Sequence, residues 1–128
     1  MLFKRSLFLV PKTIKQISAR LAKEVEGIEI LVQPKIKHAG SIFVPDMLIR
    51  DEKSRIWVVE CKFDVISTRD IAYLSYNVRD AYPNAKLVMI APRATQDALE
   101  LAKEEGIIVV TGPLEDISKK LVAVIRVK

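Results

Sequence analysis

Two apolar runs joined by a short polar segment constrain this chain most: residues 41–50 and 56–63, with 51–55 between them. Both runs are rich in Ile, Val, Phe and Trp, which suit a pleated, half-buried surface, and the polar connection predicts a hairpin loop. Register then decides which side chains share a face, because a slip of one residue turns every side chain over. With a five-residue loop, Arg50 pairs with Ile56 and Asp46 falls opposite Glu60. Phe43, Pro45, Met47 and Ile49 join Trp57, Val59, Cys61 and Phe63 in an uninterrupted apolar layer. A four-residue loop puts Asp46 opposite Val59 and mixes the faces, so burial of the apolar layer selects the first register. Asp46, Glu60 and Lys62 gather on the other face, where Ile42, Val44 and Val58 predict a covered rather than a wet surface.

The flanking sequence supplies the rest of an α/β domain. Thr13 followed by Gln16 is a capping-box pattern, and Ile14, Ile17, Leu21 and Val25 form one apolar stripe that Gly27 ends. Residues 28–33 predict a strand, followed by Pro34 and a basic loop through His38 to Gly40. Ser67 with Asp70 repeats the capping signature and opens a helix to about Tyr82, which Pro83 and Asn84 break. Residues 86–91 have the continuous apolar character of a parallel strand. A helix over 95–105 closes on Gly106, a short strand covers 107–110, and Pro113 begins a brief helix to about Lys120. Residues 122–127 predict a final edge strand. The order is α-β-β-β-α-β-α-β, a mixed central sheet with helices on both faces. No repeat or linker divides the chain, so residues 1–128 are expected to form one domain.

Composition narrows the partners. A formal charge of +5 and a pI near 9.4 favour an anionic partner, of which nucleic acid is the commonest. Cys61 is the one cysteine and His38 the one histidine, which excludes an internal disulfide, a Cys/His zinc cluster and any mechanism needing two imidazoles in one chain. The apolar N-terminus, with Lys4 and Arg5, is too short for a signal core, and no run approaches membrane-spanning length. A cytoplasmic location is the expectation. Ile, Val, Lys and Glu are frequent while Asn and Gln number five, a bias reported for heat-adapted (thermophile) proteins.

The charged residues inside the hairpin have a chemical use. Two adjacent carboxylates repel, and without a partner at least one takes up a proton. A divalent cation resolves the conflict, and hard oxygen ligands with water suit Mg²⁺ or Mn²⁺. Such an ion polarises a phosphodiester and lowers the pKa of a coordinated water, and a neighbouring lysine orients that water or stabilises charge on phosphorus.

Pro45-Asp46, thirteen intervening residues, and then Glu60-Cys61-Lys62 resemble the PD-(D/E)XK signature of restriction-endonuclease-like nucleases. The order of elements is similar to that family's α-β-β-β-α-β core, over roughly residues 13–110. The stretch from Ala91-Pro92-Arg93-Ala94 to Gly106-Ile107 resembles archaeal and bacterial restriction-type members, and resolvases of Holliday junctions have this size and type. The resemblance implies a metal-dependent endonuclease acting on DNA, or on RNA. It implies that Asp46 and Glu60 hold the metal with the main-chain carbonyl of Cys61, and that Lys62 is the catalytic base or charge stabiliser. Some members add a glutamate from the first helix; Glu24, about 60° from Leu21 around the helix, is the candidate here.

Lys35, Lys37, His38 and Arg69 are phosphate candidates because loops and helix starts border the hairpin's open edge, and Tyr73 and Tyr76 are candidates for stacking on bases. Structural alternatives stand beside each. The Glu60–Lys62 pair can be a solvated strand face, Cys61 a small buried hydrophobe, His38 a surface residue, Glu24 a helix-surface carboxylate and the tyrosines rim packing. The rival function is a nuclease-fold module that binds nucleic acid or acts as a scaffold without turnover. No Gly-rich phosphate loop or nucleophile elbow supports another enzyme class. A homodimer is expected, since cutting both strands of a duplex takes two sites, with its interface along the apolar edge of residues 121–127.

Overall fold

The computed structural model describes residues 2–126, with side chains from residue 12 onward. A long helix, α1 (Leu2–Glu24), precedes β1 (Glu29–Val32), and a small hairpin follows, β2 (Ile36–His38) with β3 (Ser41–Phe43). The main hairpin is β4 (Met47–Arg50) and β5 (Ile56–Cys61). After β6 (Val65–Ile66) the chain forms α2 (Thr68–Tyr73), a π-helical segment (Leu74–Val78) and α3 (Arg79–Ala81). It ends with β7 (Lys86–Ala91), β8 (Arg93–Ala94), α4 (Gln96–Glu105), β9 (Ile108–Thr111) and α5 (Leu114–Arg126).

The central sheet runs β1-β4-β5-β7-β9, with β1, β4 and β5 antiparallel and β5, β7 and β9 parallel. Helices cover both faces of this mixed sheet, as the sequence predicts. The hairpin has the expected register: Arg50 pairs with Ile56 and Met47 with Val59. Asp51 pins the connecting loop by accepting from Lys53 N, Arg55 N and Arg55 Nε. On one face Met47, Ile49, Trp57, Val59, Val88 and Ile90 pack with Ile14, Ile17 and Leu21 of α1. On the other, Leu48, Val58, Leu87 and Met89 pack with Ile71, Leu74 and Val78, and with Ala98 and Ala102 of α4. Period-two strands against helical stripes thus produce two cores, one on each side of the sheet.

Several local expectations change. The first helix starts at Leu2, so Thr13 is a helix-interior residue and not a cap. The strand expected over 41–50 is broken at Val44–Asp46, because Pro45 has no N–H for the ladder. Its first part folds into the β2–β3 hairpin, which takes Phe43 to the core opposite Trp57 and leaves Ile42 and Val44 exposed, so of the three residues expected to cover the Glu60 face only Val58 is buried. The supposed loop through His38 is strand β2, paired by Lys37 with Ile42.

The largest correction concerns residues 122–127. Residues 122–126 continue α5, and Ile117, Leu121, Val122 and Ile125 form a buried helical stripe against the Trp57 side of the sheet. Burying that stripe outweighs the strand preference of its valines. The apolar edge strand expected as an interface is therefore not formed, since Leu121, Val122 and Ile125 are in the chain's own core; Val127 and Lys128 lie outside the described residues. None of the described helices is long and apolar enough to cross a membrane.

Candidate metal and nuclease site

The break at Pro45 creates the site. Where the next rung of the β4–β5 ladder would be, side chains bond to main chain across the hairpin. Asp46 N donates to Glu60 Oε1 at 2.8 Å, and Cys61 N donates to Asp46 Oδ2 at 2.7 Å. Gln33 N donates to Asp46 O at 3.0 Å and anchors the same residue to the β1 side. The two carboxylates are thereby fixed to each other's strand. Burial holds the Asp46 carboxyl above its ordinary range, although the Cys61 N–H partly offsets this. Burial, and then the Asp46 charge, push Glu60 up to about 8.

Such a pair is electrostatically incomplete, and the neighbouring lysine does not neutralise it. Lys62 Nζ donates to Asp70 Oδ2 at 2.7 Å, and the same oxygen accepts from Ser67 N and Ser67 Oγ at the start of α2. Burial works to raise the Asp70 carboxyl, but the Lys62 and Ser67 donors more than offset it and hold it below the ordinary range. The backbone supplies one more oxygen. Lys62 N bonds Ile90 O of β7, so the trans peptide points the Cys61 carbonyl away from β7, towards the edge where Cys61 N meets Asp46.

Two half-buried carboxylates with raised pKa values and one carbonyl on the same edge form a hard-oxygen donor set that suits Mg²⁺ or Mn²⁺, ions that keep water among their ligands. Among the described residues no three His, Cys, Asp or Glu side chains cluster as metal ligands. The donor set is thus two side chains plus main chain. Cys61 itself faces the α1 core, and burial followed by the Asp46 and Glu60 charges raises its thiol pKa, which suppresses the thiolate.

The structure joins Asp46, Glu60 and the Cys61 main chain, turns the Lys62 ammonium to Asp70, and leaves Glu24 out. Glu24 is at the C-terminal end of α1, bonded to Arg20 Nε at 2.7 Å, and its main-chain oxygen accepts from Arg126. That end adjoins Glu29, which pairs with Arg50, four residues along β4 from Asp46. Helix α1 also packs on the Trp57 face, opposite the face that carries Glu60. Lys35 and Lys37 are exposed, with Lys37 on the outer face of the small hairpin, and Arg69 is exposed on the first turn of α2. His38 Nε2 lies 2.9 Å from Asp80 Oδ2. Tyr73 stands beside the site: burial, then the Glu60 charge, raises its hydroxyl pKa. Asp70 is the site residue that sequence reasoning missed. It was legible only as a helix cap, although a cap just downstream of Lys62 is also the nearest carboxylate α2 can offer.

No protein-family model matches the chain, and neither does any curated protein. Solved structures do. The crystal structure of a protein of unknown function matches with a TM-score of 0.68 at 14% identity, over 94% of this chain and 72% of that one. A repair endonuclease from Pyrococcus abyssi matches with a TM-score of 0.55 at 20% identity, over 74% of this chain and 42% of that one. EndoMS in its apo form matches with a TM-score of 0.50 at 25% identity, over 70% and 40%. EndoMS in a complex with double-stranded DNA gives a TM-score of 0.51 at 23% identity, over 71% and 40%. The chain therefore shares a fold with the Pyrococcus repair endonuclease and EndoMS, and spans about two fifths of the length of those chains.

Proposed function

We propose that this chain is a PD-(D/E)XK-type, metal-dependent nuclease domain that hydrolyses phosphodiester bonds in DNA. The reciprocal clasp of Asp46 and Glu60 carries the proposal, because it holds two half-buried carboxylates side by side, an arrangement that a bound cation or a proton stabilises. Asp46, Glu60 and the Cys61 carbonyl would hold Mg²⁺ or Mn²⁺. Bound there, the ion supplies Lewis-acid polarisation of the phosphodiester and an acidified water. Lys62 shares the Glu60 face of the strand by alternation, and its ammonium, now held by Asp70, would turn to stabilise the charge that builds on phosphorus as water attacks in line with the leaving oxygen. Asp70 orients Lys62 between turnovers. The net positive charge, and a fold shared with a protein named as a repair endonuclease and with EndoMS solved on double-stranded DNA, support DNA as the substrate. Severing both strands of a duplex requires two such sites, which a homodimer supplies, with a pairing surface outside the buried stripe of α5.

The test is a panel of labelled substrates (single strand, duplex, four-way junction and RNA) incubated with Mg²⁺, Mn²⁺ or EDTA. Asp46→Asn abolishes cleavage and weakens metal binding. Lys62→Ala abolishes cleavage but keeps metal and DNA binding. Near-wild-type cleavage by Lys62→Ala would place the activity elsewhere. A wild-type chain that binds metal and DNA and cuts nothing would establish the binding-module reading.

A further inference from the structure

A cleft of about 300 Å³ opens between the β2–β3 hairpin and the helical stretch from Tyr73 to Ala81. Its walls have a clear origin. Cross-strand partners share a face, so His38 with Ser41 and Ile36 with Phe43 turn inward, while Lys37 and Ile42 turn to solvent. On the opposite wall Tyr73, Tyr76, Asn77 and Asp80 follow the i, i+3, i+4, i+7 spacing of one helical face. Ile71, Leu74 and Val78 form the buried stripe behind them. The bond from His38 to Asp80 ties hairpin to helix across the cleft.

The chemistry of these walls is selective. Tyr73 and Tyr76 are 41% and 74% exposed, large aromatic faces left in solvent where core packing would hide them. The Asn77 amide, a donor and an acceptor together, makes no hydrogen bond to any described residue. No lysine or arginine lines the cleft among the described residues, and its one histidine is bonded to Asp80, which disfavours a phosphate there. Aromatic faces beside the Asn77 amide, the Ser41 hydroxyl and the His38–Asp80 pair, with no lysine or arginine, suit a nucleobase. Tyr73 stands one helical turn after Asp70 on α2, and Asp70 holds Lys62, so the cleft begins one turn from the candidate site. A π-helical turn at this point fits a functional wall, because such turns concentrate at functional sites.

We propose that the cleft bounded by His38, Tyr73, Tyr76 and Asn77 is a nucleobase subsite that receives one unpaired base of the strand being cut. The inference rests on the nuclease reading of Asp46 and Glu60, and it adds a substrate class. A base stacked and paired within a duplex cannot enter a cleft of this size, so the nucleotide next to the scissile phosphate must be single-stranded or turned out of its helix.

Two measurements test it separately from cleavage. Single-stranded DNA carrying 2-aminopurine at successive positions is bound in Ca²⁺ and read by fluorescence. The wild-type chain quenches the probe at one or two adjacent positions, and Tyr76→Ala removes that quenching while binding weakens about tenfold. In Mg²⁺, an abasic nucleotide at the same position slows cleavage of the wild type, and Tyr76→Ala is insensitive to it. Cleavage that is indifferent to abasic sites on either side of the cut overturns the subsite and leaves the nuclease intact. Quenching abolished by Tyr76→Ala in a chain that cuts nothing supports the subsite and removes the nuclease. Absence of quenching at every position overturns the subsite whatever the cleavage assay gives.

Discussion

Replacing Glu60 with glutamine in the metal-free protein separates the electrostatic cost of the site from its chemistry. Burial and the Asp46 charge push the Glu60 carboxyl up to about 8 from an ordinary 4.5. A group raised in the folded state contributes stability that is fully present below its unfolded pKa and is lost as pH climbs through its folded pKa. For Glu60 the window runs from about pH 4.5 to about 8. At ~1.36 kcal/mol per pH unit the full span corresponds to at most about 5 kcal/mol, and relaxation around the charged group reduces the expected loss to about 2–4 kcal/mol. The variant Glu60→Gln keeps a carbonyl acceptor for Asp46 N, a bond of 2.8 Å in the wild type, and carries no charge. Urea unfolding in EDTA from pH 5 to pH 9 should give nearly equal stabilities at the acid end, with the variant ahead by about 2–4 kcal/mol at the alkaline end. Mg²⁺ added at the alkaline end should stabilise the wild type and leave Glu60→Gln almost unchanged. Parallel stability curves, or a variant less stable than wild type at pH 9, would refute the picture of a buried carboxylate pair awaiting a cation.

Two other substitutions probe neighbouring parts of the argument. Asp70→Asn weakens the charge-assisted bonds to Lys62 and Ser67, so it lowers stability by about 1–2 kcal/mol. If Asp70 positions Lys62, the same change slows cleavage at saturating DNA about tenfold, whereas an Asp70 that serves only as a helix cap lowers Tm without changing kcat. Leu121→Ala removes a fully buried side chain of α5 and costs about 2–5 kcal/mol by urea unfolding, where an exposed edge strand would show almost no loss.

How much of the fold was legible depended on whether a local pattern had competitors. The main hairpin had none: a polar loop of fixed length and an apolar layer that only one register keeps intact left a single solution, and the structure adopts it. Residues 121–125 did have a competitor. Leu-Val-Ala-Val-Ile satisfies both a short strand and one face of a helix, and only the uncovered Trp57 side of the sheet decides between them. Helix α1 was curtailed for another reason, since Pro11 followed by a capping pattern at Thr13 has the local form of a helix start. The break at Pro45 could have been anticipated. A proline inside a run expected to pair on both sides argues against a continuous strand, and the break sends Phe43 to the opposite core.

The same proline explains why the site was more legible than the fold around it. An uninterrupted β4 would have given Asp46 a main-chain partner on β5 and left its carboxylate as one more strand side chain. Because Pro45 precedes it, Asp46 sits just outside the ladder, its N–H free for Glu60 and its carboxylate free for Cys61 N. The residue that breaks the strand thus builds the clasp, and the proline and both carboxylates all stand in the sequence at a spacing that the loop length fixes. Lys62 could be placed on the Glu60 face by alternation alone, but its partner could not. Asp70 reaches it only because α2 returns over the end of β5, a tertiary arrangement that no local pattern records. Glu24 failed for the converse reason. A helical wheel places a residue around the axis but not along it, and Glu24 lies on a reasonable flank at the wrong end of the helix.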